Sequence, residues 1–200
     1  MHPCRNTEHG CTVTTRLAGK NEHESTCPFR HYTCVFSACQ WTGLKHDMLT
    51  HLRSITHSSQ FLEGASHQID VELSSPTTNW AIYCFGRIFS FNVFQMPPNS
   101  MYASAYLLGD GRTVSAAGYG NTESDFTCTV TVNGPSSARS SCSWQTPVVE
   151  TMRTNQLHPP EQCFCIPDDK LKYFVRCGGF LRLHVNLDRL GDDSSSSSMN

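Results

Sequence analysis

Cysteine and histidine crowd one end of this chain: residues 1–60 hold five Cys and seven His, whereas the other 140 residues hold six and three. Within the crowded stretch the spacing is regular. Six residues separate Cys4 from Cys11, eleven more lead to His23, and three more to Cys27. Four separate Cys34 from Cys39, eleven lead to His51, and five to His57. Thiolate sulfur and imidazole nitrogen are the ligands of tetrahedral structural zinc, and a Cys pair, a fixed spacer and a second pair form the plan of a small zinc finger. The expectation is two Zn2+ ions, one held by Cys4, Cys11, His23 and Cys27, the other by Cys34, Cys39, His51 and His57. Four protein ligands per ion leave no open position for a reactive water, so the sites read as structural.

Such sites need a turn or hairpin for the first pair and a short helix for the second, a ββα-like unit. His23 and Cys27 stand at i and i+4, which places both on one face if the segment is helical. Met48, His51, Leu52 and Ile55 fall at i, i+3, i+4 and i+7, so His51 lies on the apolar face, with Trp41 and Leu44 completing a small core. A unit of this size buries too little apolar surface to fold without metal. His9, His31 and His46 fall outside both quartets and read as solvated or hydrogen-bonding side chains.

Charge bears on what the fingers do. Six Lys/Arg face four Asp/Glu in residues 1–60, and nine face thirteen in the rest, for a net charge of −2. A finger that reads nucleic acid needs basic side chains at its helix start and a basic surface for phosphates. The second helix offers Lys45, Arg53 and little else, so nucleic-acid binding is the alternative reading rather than the leading one. A catalytic thiol drawn from Cys163 or Cys165 with His158 or His184 is weaker still, because cysteines on a strand are more often small core residues. No apolar run approaches the roughly 18 residues of a membrane helix. Polar residues from Met1 onward give no secretory leader, and clustered thiols fit a reducing compartment, so the expected location is cytoplasmic with the nucleus possible.

Beyond residue 60 the pattern changes to period-two alternation. Ile69, Val71 and Leu73, then Phe126, Cys128, Val130 and Val132, then Leu181, Leu183, Val185 and Leu187 each alternate with polar residues. With segments at 79–85, 88–95, 101–108, 141–145 and 162–166 this makes about eight strands, and the absence of crossover helices favours an all-β antiparallel sandwich. Asp168 and Asp169 are expected to cap a short helix ended by Gly178-Gly179. The chain therefore divides into a double finger at 1–60, a sandwich at 61–190 and a disordered Ser-rich tail at 191–200.

Gly10-Cys11, Lys20, His23-Glu24, Cys27, Phe29-Arg30, Tyr32, Cys34, Cys39, Trp41, Gly43 and His51-Leu52 together resemble the double zinc finger of the seven-in-absentia (Sina/SIAH) family of ubiquitin-protein ligases. Leu62, Gly64, Trp80, Cys84-Phe85-Gly86, Phe89, Leu107-Leu108-Gly109, Phe126, Asn133-Gly134, Trp144 and Thr146-Pro147 resemble, in order, the TRAF-like substrate-binding sandwich of that family. The resemblance implies a zinc-binding substrate-recognition module of the ubiquitin–proteasome pathway. It implies that degradation targets bind as an extended, proline-containing peptide added to a sheet edge, with Leu62, Ile69, Val71, Trp80 and Ile82 forming the groove, and that the domain forms a homodimer or a heterodimer with family members. In the family a RING precedes the fingers. This sequence starts at the first finger ligand, so the expectation is no ubiquitin transfer by the chain alone, the conjugating enzyme being reached only through a RING-bearing partner. The alternatives are a nucleic-acid-binding finger protein and a non-degradative scaffold.

Overall fold

A computed structural model describes residues 1–97, 99–109, 122–135, 140–151 and 163–191. The tail from Asp192, together with His158 and Gln162, lies outside the described residues. Two ββα units come first. Strands β1 (His2–Pro3) and β2 (Thr14–Thr15) pair beside helix α1 (Leu17–Thr26), and β3 (Tyr32–Thr33) and β4 (Thr42–Gly43) pair beside α2 (Lys45–Leu52).

The remaining strands build one nine-stranded sheet from β5 (Phe61–Glu63), β6 (Ser66–Glu72), β7 (Thr77–Cys84), β8 (Arg87–Met96), β9 (Ser100–Leu108), β10 (Thr122–Asn133), β11 (Ser141–Thr151), β12 (Phe164–Ile166) and β13 (Phe180–Arg189). Their order is β5-β7-β8-β9-β11-β10-β13-β6, with β12 on β9. The two ends of this path, β5 and β6, are consecutive in the chain. Gly64 at φ +110° makes the corner between them; its N–H donates to Tyr83 O at 3.0 Å, and Ala65 O accepts Leu187 N–H at 2.8 Å. The sheet is thus folded on itself around one interior, a near-barrel sandwich. Pairing is mostly antiparallel as expected, but β5 runs parallel to β7 and β11 parallel to β9. Three-residue contacts at strand ends carry both exceptions, and so short a pairing leaves no periodic trace in sequence.

The alternation expected for β6, β10 and β13 is observed: Ile69, Val71, Phe126, Cys128, Val130, Val132, Leu181, Leu183, Val185 and Leu187 all point into the interior. The central strands behave differently. Trp80, Ile82, Phe89, Phe91, Val93, Ala103, Ala105 and Leu107 face inward, while Ala81, Ile88 and Leu108 on the opposite face are also buried, beneath Val35, Phe36, Met48 and Leu52 of the second finger. The second finger is therefore the outer layer over β7, β8 and β9. Burial on both faces explains why these strands read as nearly continuous apolar runs. Helix α3 (Asp168–Leu171) forms a single turn whose cap position is Pro167, without a side-chain cap, so neither Asp168 nor Asp169 caps it as expected; both sit in its first turn, where carboxylates favour the helix dipole. No helix among the described residues is long and apolar enough to cross a membrane.

On the outer face of β13 and β6, Arg182 donates from Nε and Nη2 to both carboxylate oxygens of Asp70, at 2.6 and 2.7 Å. These bonds hold the Asp70 carboxyl below its ordinary range. The stabilisation is present above the ordinary carboxylate pKa and is lost as pH falls toward the depressed value, so Arg182→Ala narrows the stability gap between neutral and acidic buffer in denaturant melts.

Trp80 is 7% exposed and contacts Phe91 at a ring separation of 6.2 Å. Trp80→Ala therefore leaves an interior cavity, and urea unfolding should report a loss of about 3–5 kcal/mol.

Candidate metal centres

The first finger places its ligands with a turn and a helix end. Thr7–His9 form one 3₁₀ turn, closed by Gly10 at φ +105°, and the chain returns so that Cys11 N–H donates to Asn6 O at 3.2 Å and Cys4 N–H to Val13 O at 3.1 Å. Phe29 covers Gly10 so closely that a Cβ there would stand 3.1 Å from its ring. His23 projects from the last turn of α1. Cys27 lies one residue past the helix, in extended backbone, so the two ligands do not share a helical face as the i, i+4 spacing had implied; the chain turns out of the helix to bring Cys27 in.

In the second finger, His51 lies on the last turn of α2 and His57 in the turn after it. Met48 and Leu52 are fully buried on the same helix face, as the periodicity implied. Ile55 is 92% exposed, because α2 ends at Leu52 and the i+7 position no longer lies on a helix. Trp41 is partly buried against this core and stacks on His51 at 4.4 Å and 5°, while Phe36 stacks on His57 at 4.5 Å and 21°. Gly43 permits the first of these contacts: a Cβ there would lie 2.5 Å from Trp41 Cζ2.

All eight residues come together as two quartets, Cys4–Cys11–His23–Cys27 and Cys34–Cys39–His51–His57, with the ligand atoms of each within 4.8 Å of one another. A tetrahedral Zn2+ separates two sulfurs by about 3.8 Å, sulfur from nitrogen by about 3.5 Å and two nitrogens by about 3.3 Å. Cys4 and Cys27 sulfurs are 3.8 Å apart, Cys11 Sγ is 3.4 Å from His23 Nε2, Cys39 Sγ is 3.5 Å from His51 Nε2, and the two histidine Nε2 atoms are 3.1 Å apart. The donor sets and edges fit Zn2+ in both, as Cys₃His and Cys₂His₂, and the ion would supply a rigid crosslink rather than a reactive centre.

The ligand side chains titrate unequally. Burial pushes the Cys11 thiol up to about 11, helped by the neighbouring Cys27 and Cys4 sulfurs and opposed by the Val13 amide. Burial raises Cys27 too, but bonds from the Phe29 amide, the Asn6 side chain and the other two thiols outweigh it, and its thiol falls below the ordinary value. Burial also pushes Cys34 up to about 11. His51 is held below its usual value by burial and by His57, and His57 by burial, so both are neutral near pH 7, the form that ligates a metal. A Zn2+ ion would displace the thiol protons to solvent and balance the thiolate charge left behind in the buried cluster.

The fingers differ in what else holds them. The three cysteines are the whole buried apolar cluster of the first finger, and the one buried residue of α1 is Glu24, which accepts the Arg5 backbone N–H at 2.8 Å and lies 3.8 Å from Lys20 Nζ. The second finger shares its core with the sheet. Asn79 Nδ2 donates to Val35 O at 2.9 Å, Tyr32 OH to Gly109 O at 3.0 Å, and Arg53 Nε to Glu63 Oε1 at 2.7 Å. Arg30 links the first finger to this assembly, donating to Cys27 O and Gly109 O with its guanidinium 4.2 Å above the Tyr32 ring. His9, His31 and His46 stay outside both quartets; His9 and His31 rings lie 4.7 Å apart.

Of the groove residues, Ile69, Val71, Trp80 and Ile82 are buried in the sandwich interior, where they cannot line a surface pocket; Leu62 is half-buried against the same core. Inward alternation on a closed sheet accounts for this. Cys163 is buried just before β12, and Cys165 is half-buried within the pairing of β12 with β9.

Residues 1–68 match the family described as "Sina, zinc finger". The chain is 29% identical over 96 residues to human "E3 ubiquitin-protein ligase SIAH2", 44% of this chain and 29% of that protein. It is 31% identical over 64 residues to "E3 ubiquitin-protein ligase siah-1" of Caenorhabditis briggsae, 31% of this chain and 15% of that protein. It is 35% identical over 57 residues to Arabidopsis thaliana "Putative E3 ubiquitin-protein ligase SINA-like 9", 28% of this chain and 20% of that protein. The matched stretches thus span under a third of each relative. Among solved structures, Notothenia coriiceps TRAF5 aligns over 73% of this chain and 84% of that one at 12% identity, with a TM-score of 0.43. The first 68 residues are therefore similar to a Sina zinc finger, and a mostly β sandwich follows them.

The unequal support of the fingers has a measurable consequence. Cys11→Ser lowers zinc from two to one per chain and unfolds the first finger, leaving the sandwich melting temperature unchanged; Cys34→Ser also removes one zinc but lowers that temperature by about 5 °C or more, because its finger is part of the sandwich core. Gly43→Ala pushes Trp41 off His51 and weakens zinc about tenfold at the second site alone, as chelator competition would read.

Proposed function

We propose that this chain is a zinc-braced recognition module of the ubiquitin–proteasome pathway that captures degradation targets as an extended segment added to its sheet. Support comes first from the relatives matched by the finger region, whose names are those of E3 ubiquitin-protein ligases. The observation that carries the binding mode is an open sheet edge. β7 pairs with β5 only over Ala81–Tyr83, so among the described residues Thr77–Trp80 have ladder partners on the β8 side alone. β6 likewise pairs only with β13. Exposed backbone donors and acceptors of this kind take an added strand, with main-chain bonds supplying affinity and side-chain pockets selecting sequence.

The groove is better drawn around these backbone edges than around Ile69, Val71, Trp80 and Ile82, whose side chains support the sheet from inside. Delivery of ubiquitin is assigned to a RING-bearing partner, and pairing with a second copy or with a family member is part of the same proposal. None of the described cysteines forms a disulfide, which suits a reducing compartment, the cytoplasm with the nucleus accessible. A finger helix docked in a DNA groove is disfavoured by position: the apolar face of α2 is buried on the sheet, and Arg53 is engaged by Glu63 and by the Tyr83 ring.

Backbone parity gives the test. Ala81 N–H and Tyr83 O point away from β8, toward Gln60 and Gly64, so Thr77, of the same parity, directs its amide to the open edge. Thr77→Pro removes that donor at the first position of the strand, where proline is tolerated. With the zinc-loaded chain and a library of extended, proline-containing peptides, the wild type should select a common motif and Thr77→Pro should bind it about tenfold more weakly at unchanged thermal stability. Adding a full-length family ligase should alter ubiquitination of a protein that carries the motif. Equal binding by both proteins, or no effect on ubiquitination, contradicts the proposal.

A further inference from the structure

Two hydrogen-bond relays run from the second metal quartet to strand β7. Ligand Cys34 is followed by Val35, which is buried and whose carbonyl accepts Asn79 Nδ2 at 2.9 Å. Ligand His57 accepts Gln60 N–H through its carbonyl at 2.9 Å, and Gln60 O accepts Ala81 N–H, also at 2.9 Å. Asn79 and Ala81 flank Trp80, so the metal loop grips β7 on both sides of its central residue. The two grips lie where the strand leaves its pairing with β5 and begins its open edge.

We infer that the second zinc site sets the geometry of the open β7 edge, with Asn79 as a positioning residue that transmits metal occupancy to it. The inference rests on the target-binding reading for its biological use, but the coupling is a property of this chain by itself. When Cys34, Cys39, His51 and His57 are tied to one ion, the Val35 and Gln60 carbonyls are fixed acceptors. When they are not, the loops carrying those carbonyls lose their crosslink, and β7 keeps only its β8 ladder along Thr77–Trp80. Among the described residues the first quartet shows no comparable relay to β7. Its link to the sheet runs through Arg30 to Gly109, at the end of β9. Zinc loss at the second site should therefore loosen the capturing strand, and zinc loss at the first should not.

Amide hydrogen exchange on the full zinc-loaded chain tests this without any target peptide. The Ala81 amide reports the Gln60 relay directly, with the amides of Phe126–Val132 on β10 as the internal reference. Three variants are compared with wild type: His51→Ala at the second site, Cys11→Ser at the first, and Asn79→Ala, which leaves all eight ligands in place. His51→Ala should speed exchange on β7 about tenfold more than on β10, the order expected for losing one buried hydrogen bond beyond the general loss of sandwich stability. Cys11→Ser should leave β7 unchanged. Asn79→Ala should retain two zincs and speed exchange on β7 selectively, with Asn79→Gln, which keeps an amide donor, restoring part of the protection.

Unchanged β7 exchange in both His51→Ala and Asn79→Ala overturns the inference. So does equal acceleration across β7 and β10 in Asn79→Ala, which would make Asn79 a general stabiliser. If β7 loosens as expected but no extended peptide binds wild type, the coupling stands and the target-binding reading fails.

Discussion

The structure depends on one constraint: four soft ligands must meet at a point twice within the first 57 residues, and each meeting replaces a hydrophobic core that so short a segment cannot supply. In the first finger nothing else is available. Its buried apolar cluster consists of the thiols Cys4, Cys11 and Cys27, and its helix turns a carboxylate, Glu24, toward Arg5 and Lys20 instead of an apolar stripe. In the second finger the same coordination is reinforced by Met48, Leu52, Val35 and Phe36, which continue into Ala81, Ile88 and Leu108 of the sheet. The two sites share a plan and differ in mechanical role, one holding up a small autonomous unit and the other closing the outer face of a sandwich.

That difference organises the fold. A sheet closed at Gly64–Ala65 encloses one interior, and its most buried strands, β7 to β9, are covered outside by the second finger. The strands on the opposite wall keep a polar outer face, with Thr131 bonded to Ser143 and Arg182 paired with Asp70. A recognition edge beside the covered wall gains rigidity from two layers. A strand that must accept a partner strand without losing its own register is better placed there than on the solvated wall.

Much of this was legible in the sequence, and the physical reasons are specific. Metal ligands announce themselves because coordination fixes both residue type and spacing, so all eight could be named from the two repeats of a pair, eleven residues and a pair. Strands β6, β10 and β13 were readable because one buried face enforces a period of two. Where both faces are buried, as at Phe89–Val93, period fails and only the apolar run remains. Ile55 was misplaced because a helical period says nothing of where α2 ends, and Cys27 because i, i+4 spacing holds only while the helix continues. Ile69, Val71, Trp80 and Ile82 were expected at a groove through family resemblance, whereas alternation alone points them inward, as observed. The relay through Asn79 was not legible at all, since it joins residues 44 apart in sequence.

Zinc K-edge absorption spectroscopy combined with metal quantification on the full chain tests the central claim most directly. Two zinc ions per chain are expected, with sulfur and nitrogen ligands in a ratio of five to three, the sum of a Cys₃His and a Cys₂His₂ site. One ion per chain, a substantial oxygen shell, or all-sulfur coordination would contradict it.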